Sequence, residues 1–179
     1  MTWQWIVNQV FAFIGLIFVI ILYQQKDLKK MVILRNFATL FVFIGLCFLG
    51  NVSAILFCIV GLIRNLITLY YAYKPNYNKE LKYISSVLLI LLLIVLNIIY
   101  WNNFMNLFSI ILGSLSVITF MQTKPSTVRK MSVILKILSI IYYTLLLSPT
   151  NIVIEIIGVT SAIVGIIRLD RKESEINQR

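Results

Sequence analysis

Two charged residues lie inside otherwise apolar stretches of this sequence, and they are the first candidates for chemistry. Arg64 interrupts the run IVGLIRNLITLYY at residues 59–71, and Glu155 interrupts IVIEIIGV at residues 152–159. Burying either charge in hydrocarbon is costly, so such residues commonly mark a substrate path or a proton relay. An arginine can bind an anionic group, and a buried carboxylate can carry a coupling proton.

Each of these residues also has a simpler interpretation. Arg64 either binds an anionic group or latches a gate in a pocket, or it reaches the nearest lipid phosphate as an interfacial side chain. Glu155 either carries a proton or is an interfacial carboxylate hydrogen-bonded to Asn or Tyr groups. A direct bridge between the two is not expected, because Glu155 aligns in depth with Asn51, about 20 Å along the helix from Arg64.

The composition is that of a polytopic α-helical membrane protein. Of 179 residues, 60% are apolar and 12% are charged, and the mean hydropathy is +0.96. The net charge of +10 sits in short segments between apolar runs, so it indicates no nucleic-acid partner. There is no histidine, and Cys47 and Cys58 lack metal-ligand spacing. We therefore expect no metal, no cofactor and no enzymatic activity.

The apolar runs predict seven spans, because a helix needs about 20 residues to cross the hydrocarbon. Their predicted bounds are 3–23, 32–49, 53–73, 82–101, 104–122, 131–148 and 152–169.

The connections between these spans alternate in charge. Lysine and arginine collect in residues 24–31, 74–82 and 122–130 and in the tail, whereas the alternate breaks carry none. Basic loops remain on the cytoplasmic side. The sequence therefore predicts an N-terminus outside, a C-terminus in the cytoplasm and the lipid bilayer as the main partner.

An internal repeat divides the chain. Two segments can be aligned, VFAFIGLIFVIILYQQK and LFSIILGSLSVITFMQTK. The alignment pairs Gly15 with Gly113 and Gln24 with Gln122. Further along each half, VGLIR aligns with VGIIR. Because a three-helix unit ends on the opposite side of the membrane, a parallel copy needs one inverting span between the units. The predicted organisation is a first triple-helix unit, a linker with helix 4, and a second unit with a short cytoplasmic tail, at residues 1–74, 75–103 and 104–179.

Polar residues inside the spans are candidates for a pocket lining. They either contact a solute or make interhelical hydrogen bonds worth on the order of 1 kcal/mol. Besides Arg64 and Glu155, the candidates for substrate binding are Gln9, Thr39, Asn65, Tyr142 and Tyr143.

The segments QVFAFIGLIFVI, LGNVSAILFCIVGLIRNLITL and TNIVIEIIGVTSAIVGIIR resemble the YgjV-type bacterial inner-membrane proteins. The wider plan is similar to SWEET and PQ-loop transporters and to Pnu-type vitamin transporters. That resemblance implies a substrate pocket between two triple-helix units that opens alternately to each side. The hinge proline of the PQ-loop is absent here, but Gln24 and Gln122 remain, and Gly15 and Gly113 can supply bending.

Two functions follow as hypotheses. The first is a transporter of the bacterial inner membrane that moves a small polar solute by rocking one unit against the other. The second is a non-transporting immunity, regulatory or scaffold subunit that uses the same fold to bind a partner helix. A homo-oligomer is compatible with either hypothesis.

Overall fold

The chain folds as seven α-helices. The computed structural model describes residues 3–49, 52–74, 79–101, 104–145 and 149–170, and no strand occurs among them. The all-α class is therefore confirmed. The helices are α1 Trp3–Tyr23, α2 Leu28–Leu49, α3 Val52–Tyr73, α4 Lys79–Ile99, α5 Met105–Phe120, α6 Pro125–Leu145 and α7 Pro149–Gly165, and α7 continues as a π-helical turn, Ile166–Asp170.

Each predicted helix is present, and five of them begin earlier than predicted, with the largest differences at α2 and α6. Helix α2 begins at Leu28 instead of residue 32, and α6 begins at Pro125 instead of residue 131. Basic residues assigned to loops instead form first turns, because lysine and arginine favour helix and proline suits the first position. Asp27 Oδ1 accepts the backbone N–H of Lys29 at 2.9 Å and caps the start of α2. The predicted end of the sixth helix, residues 146–148, lies outside the described residues.

The surface of the bundle is apolar enough for a membrane. By length and composition, four helical segments in the described chain can cross one: Trp3–Tyr23, Leu28–Phe48, Glu80–Ile99 and Asn151–Asp170. Two further apolar helices, Cys58–Tyr73 and Asn106–Phe120, are shorter. Large apolar side chains are exposed on α1, α4 and α7. In lipid such a surface is solvated, while the helices satisfy their own backbone hydrogen bonds.

The helices pack in chain order around a ring. Each helix contacts the next, α7 closes the ring against α1, and α3 also contacts α5 beside α4. Helices α1–α3 and α5–α7 therefore meet at two places, the α1–α7 interface and the α3–α5 interface. Below, unit one is α1–α3 and unit two is α5–α7. The division into repeats and the positions of the termini across the membrane stay predictions.

The main apolar core joins the two units at one end of the bundle. It lies where α1, α3, α5 and α7 end, and we call this the basic end after the lysines and arginines in its connections. The core comprises Leu22, Tyr23, Met31, Phe120, Val128, Leu135 and Ala162. A second cluster packs α4 against α3 and α5 through Val60, Leu89, Leu93, Val117 and Met121.

Gly165 allows α7 to approach the end of α1 closely. A Cβ atom at this position would overlap the carbonyl oxygen of Tyr23 and would lie 3.1 Å from Arg129 Cδ. At Gly61, in the matching VGLIR segment, an added Cβ would meet only Thr39 Cγ2, at an ordinary 3.7 Å. Of these two repeat-related glycines, Gly165 is required for close helix packing, whereas Gly61 has room for a side chain.

This difference predicts opposite responses to the same substitution. Gly165→Ala should lower the stability of the detergent-solubilised protein by about 1–3 kcal/mol, because overpacking forces the backbones of α1 and α7 apart. Gly61→Ala, the matched control, should leave stability unchanged or raise it slightly through helix propensity. Thermal unfolding followed by circular dichroism measures both variants. Equal losses would contradict the close approach at Gly165.

Candidate functional site

Arg129 of α6 binds the end of α1 and the end of α7 together. Its side chain is 2% exposed, and it donates from Nε to the carbonyl oxygen of Tyr23 at 3.1 Å and from Nη2 to that of Gln25 at 2.8 Å. Its Nη1 pairs with Asp170 Oδ1 at 2.5 Å. The last carbonyls of a helix lack partners within the helix and attract positive charge. Arg129 thus joins unit two to unit one at the basic end.

Gln24 adds a second connection between α1 and α7. Its Nε2 donates to the carbonyl oxygen of Ser161 at 3.1 Å, and Ser161 Oγ donates to the carbonyl oxygen of Ile20 at 3.0 Å. Gln122, the repeat counterpart, donates instead within its own helix to Ile118 at 3.0 Å. Of the two glutamines predicted to act in gating, only Gln24 reaches the other unit.

Beyond these basic-end contacts, an open surface groove with a volume of about 710 Å³ runs between α1 and α7, in the half of the bundle away from the basic end. Its lining residues Val10, Phe13 and Val153 are exposed on the outside of the bundle. Gln9 faces this groove, and the other lining side chains are apolar: Val10, Phe13, Ile14, Leu16, Val153, Ile154 and Ile157. The α1–α7 interface is thus closed at one end and open at the other.

Arg64 is enclosed within the bundle and does not reach a lipid surface. It is 5% exposed and donates from Nε and Nη2 to Asn65 Oδ1 at 3.1 and 2.8 Å, and from Nη1 to Ser116 Oγ. Its Cζ lies 5.0 Å from the centroid of the Phe120 ring. Its repeat counterpart Arg168, the arginine of VGIIR, is exposed.

A second arginine approaches the same aromatic ring. Arg35 Cζ of α2 lies 4.2 Å from the Phe120 centroid, so both guanidinium groups are within cation–π distance of one side chain of α5. We call Arg35, Arg64 and Phe120 the arginine cluster. Arg35 and Arg64 belong to unit one and Phe120 to unit two, which places the cluster where α2 and α3 meet α5.

Neutral hydrogen bonds hold this cluster in place. Asn65 Nδ2 donates to Thr39 Oγ1 at 3.1 Å, and Thr39 Oγ1 donates to the carbonyl oxygen of Arg35 at 2.9 Å. The predicted site residues Arg64, Asn65 and Thr39 therefore form one network between α2 and α3. In the described part of the chain, neither Arg35 nor Arg64 forms an ion pair with a carboxylate.

A small cavity adjoins the network. Its volume is about 10 Å³, roughly the space of one water. Arg35 Nε is buried and has no hydrogen-bond partner among the described residues. The cavity is lined by Leu28, Met31, Val32, Arg35, Asn65, Thr68, Phe120 and Val128.

Glu155 has a basic partner that the sequence interpretations did not name. Lys136 Nζ lies 2.6 Å from Glu155 Oε2, and the two side chains are 9% and 18% exposed. The chain makes room for this pair at Gly158, where a Cβ would come within 2.6 Å of Lys136 Nζ and Cε. The pair joins α6 to α7 within unit two, and no bridge forms between Glu155 and Arg64.

The remaining predicted residues lie elsewhere. Tyr142 Oη is 3.2 Å from Ser109 Oγ, which places Tyr142 on the α5–α6 contact and away from the arginine cluster. The ring of Tyr143 lies 5.2 Å from that of Tyr142, and Glu155 of α7 is among the charged groups near it. Gly15 and Gly113 are buried inside the unbroken helices α1 and α5. Bending at these glycines stays a prediction.

Arg35 and Lys136 are absent from the candidates predicted from the sequence, although each lies in a predicted span. The signal for Lys136 was weak: Lys136 and Glu155 are opposite charges on consecutive antiparallel helices, but Lys136 lies nine residues before the end of α6 and Glu155 six residues after the start of α7. Arg129 was assigned to a loop and gave no such signal.

These features define a helical integral membrane protein whose interior charges lie at helix contacts. The chain belongs to the Imp-YgjV family, described as bacterial inner membrane protein, whose family model matches residues 6–173. The predicted family and its inner-membrane character are thereby confirmed. Comparisons with curated proteins and with solved structures find no match.

The Lys136–Glu155 pair predicts a non-additive response to mutation. Lys136→Met should lower stability by about 3–5 kcal/mol, because it leaves a buried carboxylate uncompensated. The double variant Lys136→Met/Glu155→Gln should regain most of that loss, since neither residue is then charged. Lys130→Met, on the same helix but exposed, is the control. Chemical unfolding in detergent measures the cycle, and additive losses would rule out the pairing.

Proposed function

We propose that this protein transports a small polar solute across the bacterial inner membrane by alternating access between unit one and unit two. The observation that carries the proposal is the asymmetry of the α1–α7 interface. Basic-end contacts close it at one end, and the groove of about 710 Å³ separates the same two helices at the other. In alternating access the two ends exchange these arrangements.

The polar contacts that would have to break at the basic end are few. They comprise the bonds of Arg129 to Tyr23, Gln25 and Asp170, together with the Gln24–Ser161 bonds. A hydrogen bond exchanged for one to water or to another group contributes about 0.5–1.5 kcal/mol net, and somewhat more when it is charged. Exchange of these polar contacts is therefore within the range of a conformational equilibrium that a bound solute can shift. Opening also requires the apolar core around Tyr23 and Val128 to separate.

Both interfaces between the units carry polar groups, as a solute path requires. Gln9 lies on the α1–α7 side, and Arg64, Asn65 and Ser116 lie on the α3–α5 side. Charged and polar groups inside a membrane bundle usually mark such a path. The proposal needs no enzymatic step.

One observation favours the second hypothesis. All but one of the side chains that line the groove are apolar, which suits the apolar face of a partner helix better than a polar solute. We therefore keep a non-transporting immunity, regulatory or scaffold subunit as the alternative function.

Crosslinking tests the rocking motion. In a background with Cys47→Ser and Cys58→Ser, the pair Gln24→Cys/Ser161→Cys should be joined by a short bis-methanethiosulfonate crosslinker, which holds the basic end closed. Uptake into proteoliposomes, screened across sugars, nucleosides, vitamins, amino acids and carboxylates, should fall to background and return on reduction. The matched control is Phe11→Cys/Phe41→Cys within unit one, where the two rings stack at 6.3 Å; its crosslink should leave uptake intact.

Two results would contradict the proposal. Uptake that continues with the basic end crosslinked would exclude rocking at the α1–α7 interface. No uptake of any solute class, together with a stable copurifying partner, would establish the alternative function.

A further inference from the structure

We propose that the arginine cluster binds an anionic oxygen group, a carboxylate or a phosphate. That this group belongs to the transported solute rests on the proposed function, whereas the binding site itself does not depend on transport.

The first argument is the charge balance of the buried basic groups. Lys136 is neutralised by Glu155 at 2.6 Å, and Arg129 pairs with Asp170 at 2.5 Å. Arg35 and Arg64 have no such partner in the described part of the chain. Phe120 lies against both guanidinium groups, and Arg64 donates to the neutral oxygens of Asn65 and Ser116. An aromatic ring and hydrogen bonds stabilise a guanidinium but do not cancel its charge. A bound anion would therefore be stabilised more by Arg35 and Arg64 than by Lys136 or Arg129, which already have carboxylate partners.

The second argument is the geometry of the free donor. Arg35 Nε is buried without a hydrogen-bond partner among the described residues, and Arg35, Asn65 and Thr68 line one cavity. A guanidinium presents its N–H groups in a planar fork that matches carboxylate and phosphate oxygens. An anionic oxygen in this cavity would satisfy Arg35 and add the missing negative charge.

The third argument is the size and position of the cavity. With about 10 Å³ it has room for a single oxygen-sized group, so a whole solute enters only when the helices around it separate. The cavity lies between Arg35 and Asn65 of unit one and Phe120 and Val128 of unit two. Binding an anion there therefore acts on the contact between the units, which is the contact that alternating access must change.

Binding measurements on the purified full-length protein test the site. In nanodiscs of neutral phosphatidylcholine, inorganic phosphate or acetate should give saturable binding by calorimetry and a higher melting temperature, relative to chloride at equal ionic strength. Arg35→Gln and Arg64→Gln should each weaken binding about 10- to 100-fold, as expected for the loss of one charge-assisted hydrogen bond. Arg168→Gln, at the exposed counterpart of Arg64, should bind like the wild type.

A second arm separates the two sources of the anionic group. Nanodiscs that contain phosphatidylglycerol, without soluble anion, report binding of a lipid headgroup. Stabilisation in this arm alone, lost in Arg35→Gln, would establish the site with a headgroup as its ligand and would remove its link to a transported solute. Stabilisation by soluble phosphate or acetate, with no uptake in proteoliposomes, would leave the site standing and contradict transport.

Other outcomes overturn the site itself. They are no saturable binding by the wild-type protein in either arm, or an equal loss of binding in Arg168→Gln. Arg64→Lys keeps the positive charge, so this variant is expected to fold normally and to bind the anion more weakly than the wild type does. It thereby separates loss of the site from loss of the fold if Arg64→Gln proves unstable.

Discussion

The cost of enclosing a positive charge in an apolar bundle organises this structure. Three solutions occur among the described residues. Lys136 pairs with Glu155 inside unit two, and Arg129 combines Asp170 with the terminal carbonyls of α1. Arg35 and Arg64 instead share one aromatic ring, and Arg64 also donates to neutral oxygens. In the first two solutions a carboxylate balances the positive charge, whereas in the third no carboxylate of the described residues does so.

The positions of these groups follow the division into units. The complete Lys136–Glu155 pair lies within unit two, where it holds α6 and α7 together and has no need to change. Arg129 and the arginine cluster lie between the units, one at each interface. A polar contact between the units can be replaced by another hydrogen bond at a low net cost in free energy. The pair inside unit two cannot lose one partner without leaving the other as an unpaired buried charge. The polar contacts between the units are thus the ones that the proposed alternating access would exchange.

Much of the fold could be predicted from the sequence, because the thickness of hydrocarbon fixes helix length and the apolar runs have that length. The starts of α2 and α6 were wrong because basic residues favour helix as readily as loop. The partner of Glu155 and the burial of Arg64 depend on how each helix is rotated about its axis. A helix that is apolar on nearly every face carries no periodicity that fixes this rotation, so the contacts became visible only in three dimensions.

The central claim is that Arg35 and Arg64 form an uncompensated positive site between the two units. Anomalous diffraction from crystals grown in the presence of selenate, a heavy oxyanion, tests it most directly. We predict an anomalous peak next to Arg35, with the helices around the cavity moved apart and selenate oxygens about 2.7–2.9 Å from the guanidinium nitrogens, as in other charge-assisted hydrogen bonds. An ordered cluster without that peak, or with a carboxylate of the chain itself against Arg35, would contradict the account.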